Sequence, residues 1–140
     1  MIRYTNDITA EEYMALRDIV GWMQFPIEEA KICVEKAYLV LCARDDDKAI
    51  GVVRLLWDGG YIAFLSDVIV IPEYQGQGIG RALVEACIQK LKADMPSGFK
   101  VKLTLNSARG KEAFYKKFGF RERPNEDAGP AMDQWFMAES

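Results

Sequence analysis

The stretch YIAFLSDVIVIPEYQGQGIG, residues 61–80, constrains the fold more than any other part of this chain. It begins as a long and almost wholly apolar run, which is typical of a strand at the centre of a sheet. It ends with Gly76, Gly78 and Gly80 at every second position. From Ile79 the apolar residues recur at helical spacing, which predicts an amphipathic helix up to the segment MPSG. A buried strand, a glycine turn and a helix are therefore expected in succession.

A turn of this kind is suited to bind an anion. Glycine allows a tight bend and a close approach of the backbone to a ligand. The N–H groups at the start of the following helix favour negative charge, and Arg81 adds a positive one. A P-loop requires a Lys-Ser/Thr pair, which is missing here, and the third glycine comes one residue too early for a dinucleotide-binding GxGxxG. The residues alone leave open another phosphate-bearing cofactor or a purely structural turn.

The remaining elements alternate between helices and strands. Thr9 and Glu12 form a capping box that predicts a helix over residues 10–20, and Pro26 favours a second helix up to about Lys36. The runs AYLVLCAR and AIGVVRLLW, separated by DDDK, predict a hairpin, and DGG predicts a second tight turn. FKVKLTL, ARGKEAFYKKFG and DQWFM predict a strand, a helix and a last short strand. The order predicts a mixed α/β (α+β) domain around one sheet.

Composition limits the function classes. A chain of 140 residues suits one domain over residues 1–140, and a net charge of −3 lacks the basic excess that nucleic-acid binding requires. No apolar run is long enough to span a membrane. Three widely spaced cysteines without any histidine predict a cytoplasmic protein with no metal site. The lack of histidine also removes most Ser-His and Cys-His hydrolase schemes.

Two blocks of the sequence resemble the GNAT superfamily of N-acetyltransferases. The run QGQGIG, residues 75–80, matches the Q/R-x-x-G-x-G/A signature of that family. The block KVKLTLNSARGKEAFYKKFGF is similar to the family's fifth strand and the helix that follows it. The order of elements agrees across nearly the whole chain. The resemblance implies a single-domain acyl-CoA N-acyltransferase fold, with a mixed central sheet, splayed fourth and fifth strands and about four flanking helices.

The resemblance also implies that acetyl-CoA is the cosubstrate. In the family the pyrophosphate lies on the glycine turn, and the pantetheine arm lies along the fourth strand, where the Val70 amide polarises the thioester carbonyl. Asn106 is the nearest substitute for a family asparagine, whose position is Ala108 here. The implied cofactor-binding residues are Val68, Ile69, Val70, Gln75, Gly76, Gln77, Gly78, Ile79, Gly80, Arg81 and Asn106.

The implied catalytic residues are Tyr115 and Asp67. Tyr115 matches the tyrosine that donates a proton to the departing CoA thiolate. Phe64 stands where some members have a glutamate base, which leaves Asp67 as the nearby carboxylate. A carboxylate inside so apolar a strand is costly to bury unless it is paired. Asp67 is therefore a candidate base, with ordered water as one alternative and a hydrogen bond from Arg54 as another role for its carboxylate.

The resemblance further implies an acceptor site built by the first two helices, their connecting loop and the last hairpin. Trp22, Phe25 and Tyr61 are the predicted substrate-binding residues, because aromatic rings with nearby acids suit a small cationic amine. We expect an N-acetyltransferase that acetylates a small-molecule primary amine by direct attack in a ternary complex. A protein lysine or N-terminal acetyltransferase and a catalytically silent acyl-CoA-binding module remain as alternatives. A homodimer is common among similar folds.

Overall fold

A computed structural model describes residues 1–139 as two compact units, which divide after Asn106. The first unit holds nearly all of the regular structure, and the second contains one short helix. The elements of the first unit are β1 (Ile2–Thr5), α1 (Ala10–Ile19), α2 (Ile27–Lys36), β2 (Leu39–Asp45), β3 (Lys48–Trp57), β4 (Ile62–Val70), a 3₁₀ turn (Pro72–Tyr74), α3 (Ile79–Asp94) and β5 (Lys102–Thr104). The helix of the second unit is α4 (Glu112–Lys116). The prediction of one domain over residues 1–140 stays a prediction.

The five strands form one sheet in the order β1-β2-β3-β4-β5. The first four strands are antiparallel to their neighbours, whereas β4 and β5 are parallel. Parallel neighbours need a crossover connection, and α3 supplies it. This mixed sheet, with helices beside it, confirms the predicted fold class.

One part of the core lies between the sheet and the apolar face of α3, and another part involves the buried residues of α1. The buried residues of this helix recur at the predicted spacing: Ile79, Leu83, Val84, Cys87 and Leu91. Burial of each large side chain of this kind contributes about 1.5–3 kcal/mol. Among residues 1–139, none of the helices is both long and apolar enough to cross a membrane.

The capping box at the start of α1 is present as predicted. The Glu12 N–H donates to Thr9 Oγ1 and the Thr9 N–H donates to Glu12 Oε1, each over 3.0 Å. The same carboxylate also accepts two hydrogen bonds from Arg44, at 2.6 and 3.0 Å. Hydrogen bonds from Arg44, supported by the Thr9 amide and opposed by partial burial, lower the pKa of Glu12 to about 2. The pair joins α1 to β2.

Glu12→Gln should keep the capping box and lose the charge pair with Arg44. We expect a loss of about 1 kcal/mol in the free energy of unfolding at pH 7. Because the folded pKa lies below the usual value of 4.5, this stability is complete above pH 4.5 and is lost as the pH falls toward 2. Urea unfolding at pH 7, 4 and 2.5 measures the difference.

The matched control is Asp47→Asn, which removes the partner of Arg3 in a pair whose Asp47 side chain is fully exposed. Its effect should stay within about 0.5 kcal/mol at every pH. The free energy of unfolding of Glu12→Gln should differ less from that of the wild type at pH 2.5 than at pH 7. An equal difference at both pH values would contradict the role of the charge pair.

The structure differs from the sequence prediction near the end of the chain. Of the predicted strand FKVKLTL only Lys102–Thr104 is a strand, and of the predicted helix ARGKEAFYKKFG only Glu112–Lys116 is helical. DQWFM, residues 133–137, is exposed and forms no strand. A strand needs a partner for its backbone groups, and from residue 107 to 139 only a single bridge between Asn125 and Ala128 is formed.

Candidate active site

One backbone edge of β4 opens where β5 ends. β5 pairs with β4 only from Lys102 opposite Ile62 to Thr104 opposite Phe64, whereas β4 continues to Val70. No strand of the described part of the chain pairs with the rest of this edge. The fourth and fifth strands are thus splayed as predicted, and the backbone N–H and C=O groups of the open edge have no strand partner.

Val70 directs its backbone to this open edge. The Ile71 N–H donates to the Ile50 carbonyl oxygen over 3.0 Å, so the next pair, Val70 opposite Gly51, is a non-hydrogen-bonded pair. The Val70 carbonyl therefore points away from β3. It accepts a hydrogen bond from Gln75 Nε2 at 2.8 Å, which ties the strand end to the turn that follows.

The other two predicted strand contacts differ in orientation. Alternation along the strand gives Val68 the orientation of Val70. The backbone of Ile69 faces β3 and its side chain is buried in the core. A Cβ atom on Gly51 would lie 2.9 Å from the Ile69 carbonyl oxygen, so this close approach of β3 to β4 requires glycine. Val68 and Val70 are the residues that offer backbone groups at the open edge.

A bulge centred on Asp67 interrupts β4. Arg54 pairs with Ser66 and Val52 pairs with Ile69, so β4 has one more residue than β3 between these two pairs. Asp67 has φ +56°, in the left-handed region. That conformation costs a residue with a side chain about 1–2 kcal/mol. Strain of this kind persists where surrounding contacts hold the residue in place.

Three donors converge on the Asp67 carboxylate. Tyr13 Oη and Arg54 Nε each lie 2.6 Å from Oδ2, and Arg17 Nη1 lies 3.1 Å from Oδ1. The side chains of the three charged residues are only 10–12 % exposed. We call these four residues the Asp67 cluster. Asp67 thus makes the contact with Arg54 that the sequence suggested, and both of its oxygens are occupied.

Tyr13 and Arg54 of the cluster keep fixed protonation states at neutral pH. Burial, followed by the hydrogen bond to Asp67, raises the pKa of Tyr13 well above its usual value, so the phenol stays neutral. Burial lowers the pKa of Arg54, but the Asp67 carboxylate outweighs that effect and the net pKa is raised. Two guanidinium groups therefore face one carboxylate.

Arg17 connects this cluster to the loop between α1 and α2. Its guanidinium carbon lies 4.8 Å from the ring centre of Phe25 and 5.5 Å from that of Trp22. The structure thus brings two of the predicted acceptor contacts together with Asp67. Tyr61 lies in the loop before β4, where its side chain is 73 % exposed and its carbonyl accepts a hydrogen bond from the Lys102 N–H.

The glycine turn presents unpaired amides. Gly76 and Gly78 have φ values of +80° and +83°, and a Cβ on either would meet no atom within 4 Å. The backbone conformation, and not crowding, therefore requires glycine at both positions. Gly78 is the N-cap of α3 and has no capping side chain, so the four N–H groups of residues 78–81 lack intrahelical partners. These donors, at the positive end of the α3 dipole, suit a phosphate.

Among the other predicted cofactor contacts, two carry bonds of their own and one lies outside the turn. The Gln75 N–H donates to the Pro72 carbonyl oxygen over 3.2 Å, so this amide is engaged. Arg81 forms an exposed ion pair with Glu85 at 2.9 Å. Asn106 is exposed at the end of the first unit. The backbone amides of residues 78–81 therefore remain the strongest part of the predicted phosphate site.

Tyr115 belongs to the second unit. It lies on α4, half-buried, with its ring 5.0 Å from the ring of Phe114 and 6.2 Å from that of Phe120 in edge-to-face contacts. Burial raises the pKa of its hydroxyl above the usual value of 10. The phenol is thus held protonated at neutral pH, as a proton donor must be.

Sequence reasoning did not identify Tyr13 and Arg17 as part of the site. They lie one helical turn apart on α1, and their partner Asp67 is 54 and 50 positions further along the chain. An arginine inside the apolar run GVVRLLW was the available signal for Arg54, because a buried guanidinium requires a partner.

Comparison with known proteins decides the family. The family model described as an acetyltransferase (GNAT) domain matches residues 36–122. The chain belongs to the GNAT acetyltransferase family. It is 31 % identical over 124 residues to the "Uncharacterized N-acetyltransferase ycf52" of Pyropia yezoensis, a match that spans 86 % of this chain and 69 % of that protein. This GNAT chain is also 29 % identical to the "Histone acetyltransferase TAP1" of Glycine max, over 85 % of this chain and 54 % of the relative.

Solved structures agree with this assignment. The fold matches the crystal structure of a probable acetyltransferase from meticillin-resistant Staphylococcus aureus with a TM-score of 0.85 and 29 % identity. The match covers 96 % of this chain and 100 % of that protein. The protein is thus an acetyltransferase, and the acetyl donor typical of its GNAT family is acetyl-CoA.

Proposed function

We propose that this GNAT enzyme transfers the acetyl group of acetyl-CoA to a primary amine of a small molecule, by direct attack in a ternary complex. The observation that carries the proposal is the open edge of β4 followed at once by the unpaired amides of residues 78–81. An extended amide-containing chain with a phosphate at one end satisfies both features. Acetyl-CoA has this construction.

The chain's own groups would bind the cosubstrate at three places. The N–H groups of residues 78–81 donate to the pyrophosphate. The backbone of Val68 and the Val70 carbonyl oxygen pair with the pantetheine amides as an added strand would. The Val70 N–H donates to the thioester carbonyl oxygen and stabilises the negative charge that develops there. Bound acetyl-CoA supplies the acetyl group, and a C–N bond to the amine replaces its C–S bond.

Two proton movements accompany the transfer. Tyr115 donates its phenolic proton to the departing sulfur, because it matches the family's proton-donor tyrosine and is protonated at neutral pH. The amine must lose a proton, and Asp67 is poorly placed to take it because three donors occupy both of its oxygens. We therefore assign this second proton to ordered water. The mechanism needs no metal.

The proposed amine site uses Trp22 and Phe25. Both rings pack on Arg17 of the Asp67 cluster, and their faces away from Arg17 would bind the apolar body of a small amine and its cationic head. A protein amine is the second candidate, because a relative is named a histone acetyltransferase. A cytoplasmic location and a homodimer stay predictions.

The test mixes labelled acetyl-CoA with a panel of small amines, polyamines, amino acids and peptides. We expect turnover with at least one small amine at a lower KM than with any peptide. A lower KM for a peptide than for any small amine would favour the protein acetyltransferase. Binding of CoA without turnover of any amine or peptide would identify the silent module.

Trp22→Ala should raise the KM for the preferred amine by about tenfold, because it removes an aromatic face from the proposed site. The Kd for CoA should stay within about twofold of the wild type. The control is Trp135→Ala, whose ring is 81 % exposed in the second unit and should affect neither constant. An unchanged KM for the amine in Trp22→Ala would show that Trp22 is not part of the acceptor site.

A further inference from the structure

We infer that Asp67 is a positioning residue: its cluster holds the β4 bulge in the register that directs the backbone of Val68 and Val70 to the open edge. The inference rests on the proposed function, because the open edge matters as the binding place of the pantetheine arm. It assigns to Tyr13, Arg17 and Arg54 the task of shaping the cosubstrate site without contact with the reacting atoms.

The first step of the argument is the register of β4. Side chains and backbone groups alternate along a strand, so a shift by one residue exchanges the groups that face each edge. The bulge inserts one residue between the Ser66 and Ile69 pairs. Without it, β4 beyond Ser66 would shift by one position against β3. The Val70 N–H would then face β3 in place of the open edge.

The second step is that the conformation of the bulge requires contacts from other residues. Asp67 has a left-handed backbone that most side chains disfavour. Its carboxylate is held by a buried phenol and two buried guanidinium groups, with distances of 2.6, 2.6 and 3.1 Å. Charge-assisted bonds of this length in a water-poor site are strong. They oppose relaxation of the strand to a regular register.

The third step concerns the elements to which the cluster is hydrogen-bonded. Arg17 Nε donates to the Met23 carbonyl oxygen, and Arg54 Nη1 donates to the Cys33 carbonyl oxygen, each over 3.0 Å. The carboxylate of Asp67 is therefore attached to α1, α2 and the loop between them as well as to β3. The loop that contains Trp22 and the strand that contains Val70 are therefore both bonded to the Asp67 cluster.

Two substitutions separate this role from that of a base. Asp67→Ala and Asp67→Gly remove the same carboxylate and leave the same two arginines without it, but only glycine adopts the left-handed conformation freely. Isothermal titration with CoA, kinetics with the preferred amine and thermal unfolding are measured for both. We expect CoA affinity to fall in both variants, with Asp67→Gly binding about five- to tenfold more tightly than Asp67→Ala.

The outcomes are distinct. Loss of turnover by the same factor in both variants, with CoA affinity equal to that of the wild type, would assign Asp67 as the base and overturn the inference. A lower melting temperature with unchanged CoA affinity would leave the cluster only a stabilising role and would overturn it too. Failure of the wild type to acetylate any amine refutes the proposed function instead, while the CoA titrations still test the bulge.

Arg54→Met provides a variant that is expected to fold. It removes one donor and leaves Arg17 and Asp67 as a neutral pair, so no carboxylate is left without a cation. We expect CoA affinity to fall about three- to fivefold and the dependence of kcat on pH to keep its shape. CoA affinity equal to that of the wild type in Arg54→Met would contradict the inference.

Discussion

Tyr115→Phe should lower kcat by about 10²- to 10³-fold at pH 7 and leave the Kd for CoA within about twofold. The substitution removes only the hydroxyl that donates to the departing sulfur in the proposed mechanism. The ring contacts with Phe114 and Phe120 stay, so the second unit should keep its stability. Steady-state kinetics and isothermal titration with CoA measure the two constants.

The pH profile strengthens this test. A tyrosine acts as a donor only while it is protonated, and burial raises the pKa of Tyr115 above 10. Wild-type kcat should therefore hold to a pH above 10, as far as the protein stays folded, and Tyr115→Phe should lack any alkaline limb from this group. Tyr4→Phe, a half-exposed tyrosine on β1, is the control and should leave kcat unchanged. Wild-type activity in Tyr115→Phe at every pH would remove the proton-donor role.

Gly76→Ala combined with Gly78→Ala should raise the Kd for CoA by about 30- to 100-fold. Each alanine opposes a positive φ at a cost of about 1–2 kcal/mol, and the turn relaxes away from the conformation that presents its amides. Binding of pantetheine, which lacks the pyrophosphate, should change less than about threefold. Calorimetry with both ligands gives the comparison.

Gly59→Ala is the matched control for the glycine turn. Gly59 also has a positive φ, +94°, and open space where a Cβ would lie, but it belongs to the loop between β3 and β4. It should lower the free energy of unfolding about as much as one of the two turn substitutions and leave CoA affinity unchanged. An equal loss of CoA affinity in Gly59→Ala and in the turn variant would mean that the glycine turn does not bind the cosubstrate specifically.

Local signals in the sequence predicted the elements that depend on local chemistry. The capping box of Thr9 and Glu12 begins α1 at the expected residue, and the period of apolar residues after Ile79 gives α3. The glycines of the turn could be predicted for the same reason, because a backbone position with a positive φ favours glycine. The glycine turn, where we propose that the phosphate binds, could thus be predicted without a structure.

The Asp67 cluster could be predicted only in part, because its bonds are tertiary. Periodicity does not show that Tyr13 and Arg17 face a strand more than 50 positions away, and the bulge shows itself only in the pairing of β3 with β4. The prediction of a strand at DQWFM was wrong for a related reason. Its residues favour strands, but strand propensity depends on a neighbouring strand, and this segment has none among the described residues.

The bulge in β4 also affects how this enzyme behaves in concentrated solution. An unpaired strand edge is a template for pairing with strands of other molecules, and so for aggregation. A bulge bends and twists a strand, which prevents a long flat edge from forming. If Asp67 holds the bulge as we infer, it also bends the edge beside Val68 and Val70 away from the long flat form that a strand of a second chain would extend. We therefore expect the bulge to lower the tendency of this edge to pair with copies of the same chain.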